Sequence, residues 1–224
     1  MADRRQWLAL AAGSIVLPLL AACQPAQSAQ PTRLAQAAEQ TPNVIAATGG
    51  GAAAQRMNTL GPEGQALASR IGQWNVTETV WEKPGAPPVT TTGLVADRQM
   101  VGFFLQEMLH PAGAGAGQFT KRIDYLGFDR IEGRWDYMSL ETRVPVGLMS
   151  AWSFDRGDPD QITVRFLPFS IAGNGDQVTG QTLRMEQVIK RDGPNHEVKD
   201  QYFVLADGLG TKWLAHRYDY VRRS

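Results

Sequence analysis

Cysteine is almost absent from this chain of 224 residues, in which Cys23 is the single example. One cysteine can form neither an intramolecular disulfide nor a thiolate metal site. The chain also has no excess of positive or negative charge, because 22 basic side chains balance 22 acidic ones. Nucleic-acid binding needs a basic surface that displaces counterions, so the balanced charge argues against that class of partner.

Long hydrophobic runs are also missing. The most extended apolar run, residues 7–22, is shorter than the roughly 20 residues that a membrane-spanning helix requires. Because it follows Arg4 and Arg5 and ends in small residues, it is typical of an export signal. Its last residues, Leu-Ala-Ala before Cys23, resemble a bacterial lipobox. The resemblance implies that a signal peptide of residues 1–22 is cleaved and that acyl chains such as palmitate are attached at Cys23.

Lipidation would make Cys23 the membrane attachment of a cell-envelope protein. Two acyl chains bury enough methylene groups for stable anchoring, whereas one chain does not. In bacteria with two membranes the resemblance implies the outer membrane, facing the periplasm, since Gln24 rather than aspartate follows the cysteine. Arg4 and Arg5 leave two export routes open, the general route and the twin-arginine route.

The segment that follows is poor in aromatic and charged residues. Residues 23–57 are rich in Ala, Gln, Gly, Thr and Pro, so we expect a flexible tether. Residues 58–224 form the predicted folded domain, which is long enough to bury a core without disulfides. It should begin with a short helix over residues 63–71, with Pro62 in its first turn and Gly72 at its end.

After Gly72 the sequence becomes a series of β-rich runs separated by Gly, Pro, Asn and Asp, which favour turns. Alternation of apolar and polar residues within the runs is typical of strands. The predicted strands are residues 73–81, 90–97, 101–110, 119–128, 134–142, 149–155, 161–167, 181–191, 196–205 and 212–222. About ten strands joined by short turns predict an all-β, antiparallel sheet, and closure into a barrel would remove its edges.

Three short motifs carry a family resemblance. Gly72 and Trp74 form a Gly-x-Trp entry to the first strand, residues 125–129 with 133–135 resemble a Gly-Tyr-Asp hairpin, and residues 220–222 read Tyr-Val-Arg. Together they resemble calycins, such as lipocalins and fatty-acid-binding proteins, and an uncharacterised bacterial family of calycin-like domains. The resemblance implies a ten-stranded calycin-like barrel with an interior pocket, but no particular reaction.

The motif residues themselves have structural interpretations. We expect Trp74 to close one end of the barrel beside the helix, because it is a large aromatic at the start of a strand. Gly127 would let neighbouring groups approach closely at a bend. Asp129 would accept backbone N–H groups in the turn that follows it.

Catalytic motifs are not evident, so the sequence predicts a protein that is not an enzyme, with a hydrolase left as a remote alternative. No metal site and no cofactor are predicted. His110 and His196 lie beside turns and are expected to be exposed. Glu197 and Asp200 are expected at a turn or on the solvent side of a strand.

His216 differs from the other histidines because it lies in the middle of a strand, on the same face as Tyr218. These two residues, with Tyr137 and Phe166, are the candidate walls of a pocket for a small apolar ligand. One alternative is an envelope interaction module with a solidly packed barrel and an exposed apolar patch. Another rests on a resemblance to nitrobindin-like haem proteins, which implies His216 as the iron ligand.

Overall fold

The computed structural model describes residues 59–114, 120–143, 146–170 and 182–224. Strands hold 61% of these residues, which confirms the all-β prediction. The single described helix is α1 (Gly61–Ala68). The strands are β1 (Gly72–Val80), β2 (Val89–Val101), β3 (Phe104–Pro111), β4 (Arg122–Asp129), β5 (Arg134–Glu141), β6 (Leu148–Trp152), β7 (Gln161–Phe166), β8 (Phe169–Ser170), β9 (Thr182–Arg191), β10 (His196–Leu205) and β11 (Lys212–Arg222).

Ten of these strands form a closed antiparallel barrel. Strands β1 to β7 pair in chain order, β7 pairs with β9, and β9 pairs with β10. Closure comes from β11, which pairs with β10 on one side and with β1 on the other. The two-residue strand β8 pairs with the start of β9 and is not one of the ten barrel strands. The predicted ten-stranded barrel is therefore confirmed.

The hairpin between β2 and β3 is sharper than the sequence suggested. Val101 pairs with Phe104, so only Gly102 and Phe103 form the loop. Gly102 has φ 61°, the left-handed conformation that a two-residue hairpin loop demands. The apolar residues around this glycine read as one continuous strand, which is why the predicted strand began too early, at residue 101.

Helix α1 covers one end of the barrel against β2, β3 and β4. It begins and ends earlier than predicted, with Pro62 in its first turn and Leu67 fully buried. Trp74 is also fully buried, and its Nε1 donates to the carbonyl oxygen of Arg70 at 3.0 Å. The predicted closure of this end by Trp74 agrees with that position.

The other two motif residues have the expected local roles. A Cβ at Gly127 would overlap the ring of Phe104, so the ring lies directly on the strand backbone. Asp129 Oδ1 accepts from the backbone nitrogens of Ile131 at 2.8 Å and Glu132 at 3.0 Å. These bonds hold the pKa of Asp129 below its usual range, because they favour the ionised carboxylate.

The barrel interior holds two separate hydrophobic clusters. One contains Trp135, Tyr137 and Phe166, and the other contains Trp74 and Tyr220. Lys199 lies between them, with its Nζ 5.6 Å from the Tyr137 ring centroid and 5.3 Å from that of Tyr220. The centre of this β-barrel is therefore charged rather than uniformly apolar.

Candidate ligand-binding pocket

Strands β2, β3, β4 and β10, together with Arg70 just after α1, point charged side chains into the barrel. Each of these side chains belongs to a residue that is no more than 4% exposed. They form what we call the ionic layer: Arg70, Arg98, Glu107, Arg122, Asp124, Glu197 and Lys199. Buried charges are expensive unless they are paired and hydrogen-bonded, so the pairing within this layer decides whether it is tolerated.

Glu197 joins the helical end of the barrel to β2. Its carboxylate accepts from Arg70 Nη1 at 2.7 Å and from Arg98 Nη2 at 2.8 Å. Arg70 follows α1 in the chain, so this pair also ties the helix to the interior. The prediction that Glu197 faces solvent is wrong, because its inward position in β10 meets two guanidinium groups that replace water.

Glu107 is the most heavily shared carboxylate of the layer. It accepts from Arg98 Nε at 2.7 Å, Lys199 Nζ at 2.9 Å and the Tyr220 hydroxyl at 2.9 Å. Burial alone would raise the pKa of Glu107, but the cations around it, Lys199 first, outweigh that effect and hold it well below its usual range. Glu107 is consequently ionised at neutral pH.

Asp124 connects the ionic layer to the open half of the barrel. It accepts from Lys199 Nζ at 3.1 Å and from the Ser139 hydroxyl at 2.7 Å, and its Oδ2 lies 2.8 Å from Arg122 Nε. Burial would lower the pKa of Lys199, but Glu107 and Asp124 outweigh it and keep that pKa raised. The lysine is therefore charged although it is buried.

Beyond the ionic layer the barrel opens into a cavity of about 480 Å³. Its buried polar residues, which we call the pocket floor, are Glu78, Arg122, Ser139, Gln201 and Tyr218. Its partly exposed apolar residues, which we call the apolar rim, are Val80, Val146, Met149, Phe169 and Phe203. A volume of this size is within the range of pockets for small molecules.

Glu78 organises one side of the pocket floor. It accepts from the Tyr218 hydroxyl at 2.9 Å and from Lys121 Nζ at 2.6 Å, and His216 Nδ1 lies 3.6 Å from its Oε1. Burial would raise the pKa of Glu78, but His216 and Lys121 outweigh it and lower that pKa well below the usual range. Arg122 packs against the ring of Tyr218, with its guanidinium carbon 4.3 Å from the ring centroid.

The four candidate wall residues divide into two pairs. His216 and Tyr218 line the cavity, and their rings stack with centroids 6.0 Å apart. Tyr137 and Phe166 pack edge-to-face in the hydrophobic core, with centroids 5.6 Å apart, outside the set of described residues that line the cavity. Tyr137 instead turns its hydroxyl toward Lys199 Nζ at 3.3 Å.

The expectation that His110 is exposed is wrong. His110 is 4% exposed, because its Nε2 lies 2.8 Å from Asp97 Oδ2 on the neighbouring strand. Asp200 is on the outward face of β10, opposite Glu197 and Lys199, but it is covered by Arg217, from which both of its carboxylate oxygens accept at 2.7 and 2.8 Å. In each case a neighbouring strand supplies the partner that a single strand's sequence cannot show. His196 is partly exposed, as expected.

The sequence reasoning missed the charged residues of the pocket floor. For Glu78 a signal exists, since it continues the alternation of Trp74 and Val76 on the inward face of β1. For Arg122 the signal is ambiguous, because Ile123 and Tyr125 make the other face of β4 about as apolar as the face that holds Arg122 and Leu126. Only the partners on other strands reveal that Arg122 faces inward.

A second, external groove of about 430 Å³ runs across the outside of β3 to β6. Its apolar lining includes Phe104, Tyr125, Met138 and Trp152. The interaction-module alternative expected such an apolar patch, but it also expected a solidly packed interior. The interior cavity does not agree with the second expectation.

The predicted lipidation site Cys23, the signal peptide 1–22 and the tether 23–57 lie outside the described residues, so lipidation remains a prediction. Within the described ranges, no helix has both the length and the apolar character needed to cross a bilayer.

The fold and the pocket define a class: a closed β-barrel with a charged core and an interior cavity. Within this class, a model of the family Protein of unknown function (DUF1579) matches residues 59–220. The chain therefore belongs to this family, which agrees with the expectation of an uncharacterised family with a barrel fold. The search of curated proteins finds no match.

Proposed function

We propose that this protein is a lipid-anchored envelope protein that binds a small amphipathic molecule inside its barrel, without catalysing a reaction. The observation that carries the proposal is the cavity of about 480 Å³, which combines the apolar rim with the polar pocket floor. Pockets for small molecules share this composition, an apolar lining with a few placed polar groups. The sequence predicted an apolar ligand; because the pocket floor is polar, we propose a ligand that also has a polar end.

The apolar rim would supply most of the affinity. Phe203, Phe169 and Met149 lie at the cavity and remain partly exposed without a ligand. Burial of apolar surface contributes about 25 cal/mol per Å², so each 100 Å² covered by a ligand would contribute about 2.5 kcal/mol. The pocket floor would then fix the ligand's orientation, because a polar group that enters it must replace the water lost by Arg122 and Tyr218.

Binding rather than hydrolysis is favoured by the engagement of the pocket's serine. The Ser139 hydroxyl donates to Asp124 at 2.7 Å, so it is held by the ionic layer. The only histidine among the described lining residues, His216, lies beside Glu78 instead. A nucleophilic serine needs a neighbouring base that accepts its proton, and a carboxylate that already accepts from Lys199 within the ionic layer suits that role poorly.

The lipid anchor at Cys23 is part of the proposal because it would place the tether and the barrel at the same membrane. A diacylated cysteine holds a protein stably at a membrane, and a tether rich in Ala, Gln and Gly gives the barrel reach from the surface. The ligand would then be a molecule of the envelope, taken up while the barrel stays attached.

A matched pair of variants tests the proposed binding. Native mass spectrometry of the purified protein should detect a co-purified small molecule, and a lipid panel should raise its melting temperature. Phe203→Ala should weaken binding about tenfold, because it removes apolar contact at the rim. Phe154→Ala, at an exposed site outside the cavity, should leave affinity unchanged. A protein with no bound species and no thermal shift across the panel would refute the proposal.

A haem-binding function is the second candidate, and the position of His216 favours it. The imidazole lines the cavity, and its Nδ1 lies 3.6 Å from Glu78 Oε1. A carboxylate beside one ring nitrogen commonly orients a histidine whose other nitrogen binds a metal. His216 would thus hold the iron through its other ring nitrogen, with Glu78 orienting the ring, and haem would supply redox or gas-binding chemistry there.

A further inference from the structure

The ionic layer contains an unequal number of opposite charges. Its cations are Arg70, Arg98, Arg122 and Lys199, and its carboxylates are Glu107, Asp124 and Glu197. Within this layer, one buried positive charge is therefore left without a carboxylate of its own. The other buried carboxylates of the described residues pair with cations outside the layer, Glu63 with Arg156, Glu78 with Lys121 and Asp200 with Arg217. An uncompensated buried charge is unfavourable, so an anion that reaches it and compensates it gains binding free energy.

The geometry locates this excess at Arg122. Arg70, Arg98 and Lys199 each donate a hydrogen bond to a carboxylate oxygen, at 2.7, 2.7 and 2.9 Å. Arg122 shares Asp124 with Lys199, and its Nη2 is 3.5 Å from both Glu107 Oε1 and the Tyr220 hydroxyl. Within the described part of the chain, the buried Nε of Arg122 has no hydrogen-bond partner, although Asp124 Oδ2 lies 2.8 Å away. Arg70 Nε and Arg98 Nη1 also lack partners, but these two arginines donate short bonds to Glu197 through their other nitrogens. Arg122 is thus the least satisfied cation of the layer.

Arg122 is also the cation of the layer that a ligand can reach. It lines the cavity, whereas the other three cations are not among the described lining residues. The remaining charges at the cavity cancel, because Glu78 accepts from Lys121 at 2.6 Å and Glu141 pairs with Arg143 at 2.7 Å. The excess positive charge therefore faces the cavity.

We propose that the ligand of this pocket carries an anionic head group, a carboxylate, phosphate or sulfate, which binds the Arg122 guanidinium at the pocket floor. This inference rests on the proposed function, since it names the ligand class of the same cavity. The ligand's apolar part lies against the apolar rim. A guanidinium presents parallel N–H donors that match the oxygens of such groups, and charge-assisted bonds are the stronger kind.

Head-group selectivity tests the inference with probes of equal chain length. Decanoate, decyl phosphate, decyl sulfate, decanol and decylamine are titrated into the purified protein by calorimetry at one fixed salt concentration. At least one anionic probe should bind about tenfold or more tightly than decanol, and decylamine should bind most weakly. The three anionic probes distinguish carboxylate from phosphate and sulfate ligands.

The outcomes separate this inference from the proposed function. If decanol or decylamine binds as tightly as the best anionic probe, the anionic head group is refuted while the pocket remains a ligand site. If no probe binds and nothing co-purifies, the proposed function fails, and the inference fails with it.

A variant pair then tests the residue. Arg122→Gln leaves three cations and three carboxylates in the layer, so the anionic preference over decanol should disappear while decanol still binds. Arg165→Gln is the control: its charge is exposed, paired with Glu186 at 3.2 Å and not among the described residues that line the cavity, so the preference should change by less than about threefold. An unchanged preference in Arg122→Gln would overturn the assignment. If Arg122→Gln does not fold, the titrations of the unmodified protein decide the head-group question.

Discussion

Replacement of Glu197 by glutamine tests whether the ionic layer stabilises the barrel. The carboxylate of Glu197 is buried and accepts from Arg70 at 2.7 Å and from Arg98 at 2.8 Å. Glutamine keeps the size of the side chain but removes its charge. The layer would then hold four cations and two carboxylates, so the positive excess would double.

The expected loss can be estimated from the behaviour of buried ion pairs. Removal of one partner of such a pair costs about 3–5 kcal/mol, because the other charge stays buried and uncompensated. For a domain of this size, 1 kcal/mol corresponds to about 2–4 °C in melting temperature. Glu197→Gln should therefore lower the melting temperature by about 6–20 °C.

The measurement is urea and thermal denaturation followed by circular dichroism, with Glu186→Gln as the matched control. Glu186 pairs with Lys212 at 2.8 Å and Arg165 at 3.2 Å on the surface, so its loss should cost no more than about 1 kcal/mol. The reasoning is refuted if the two variants lose the same stability, or if Glu197→Gln is as stable as the unmodified protein.

Three further predictions concern the anchor, acid stability and haem. Cys23→Ser should abolish metabolic labelling with a palmitate analogue and move the protein out of the membrane fraction; a labelled variant would exclude lipidation at this residue. The lowered pKa of Glu78 adds stability that is present above its unfolded value and lost as pH falls through about 4 toward the lower folded value. Glu78→Gln should therefore flatten the acid side of the stability–pH curve, and an equally steep acid loss would contradict this origin. If haem binds through His216, haem titration should give a Soret band that His216→Ala removes. A band that survives His216→Ala would exclude His216 as the iron ligand.

The barrel was predictable from local signals. Turn residues and alternation marked nearly all of its strands, and Pro62 and Gly72 bracketed the helix region. Errors occurred where an apolar run hid a turn, as at Gly102, whose positive φ cannot be distinguished from an ordinary strand glycine by hydropathy. Strand β8 was missed because two residues are too short for any periodic signal.

The pocket was predictable only in part. His216 and Tyr218 were found because alternation places them on one face of β11, and both line the cavity. Arg122 and Glu197 were missed because a charged residue ordinarily indicates the solvent side of a strand. Their inward orientation depends on partners from four different strands, and a single strand contains no information about them.

The charged core also has a consequence for strand register. A shift of one residue in β4 would bring Ile123 and Tyr125 inside and turn Arg122, Asp124 and the core residue Leu126 out to water. The shift would also leave Lys199 buried with one carboxylate fewer. The ionic layer thus penalises the shifted pairing in addition to the exposure of Leu126, and it helps to fix the register of this strand in the barrel.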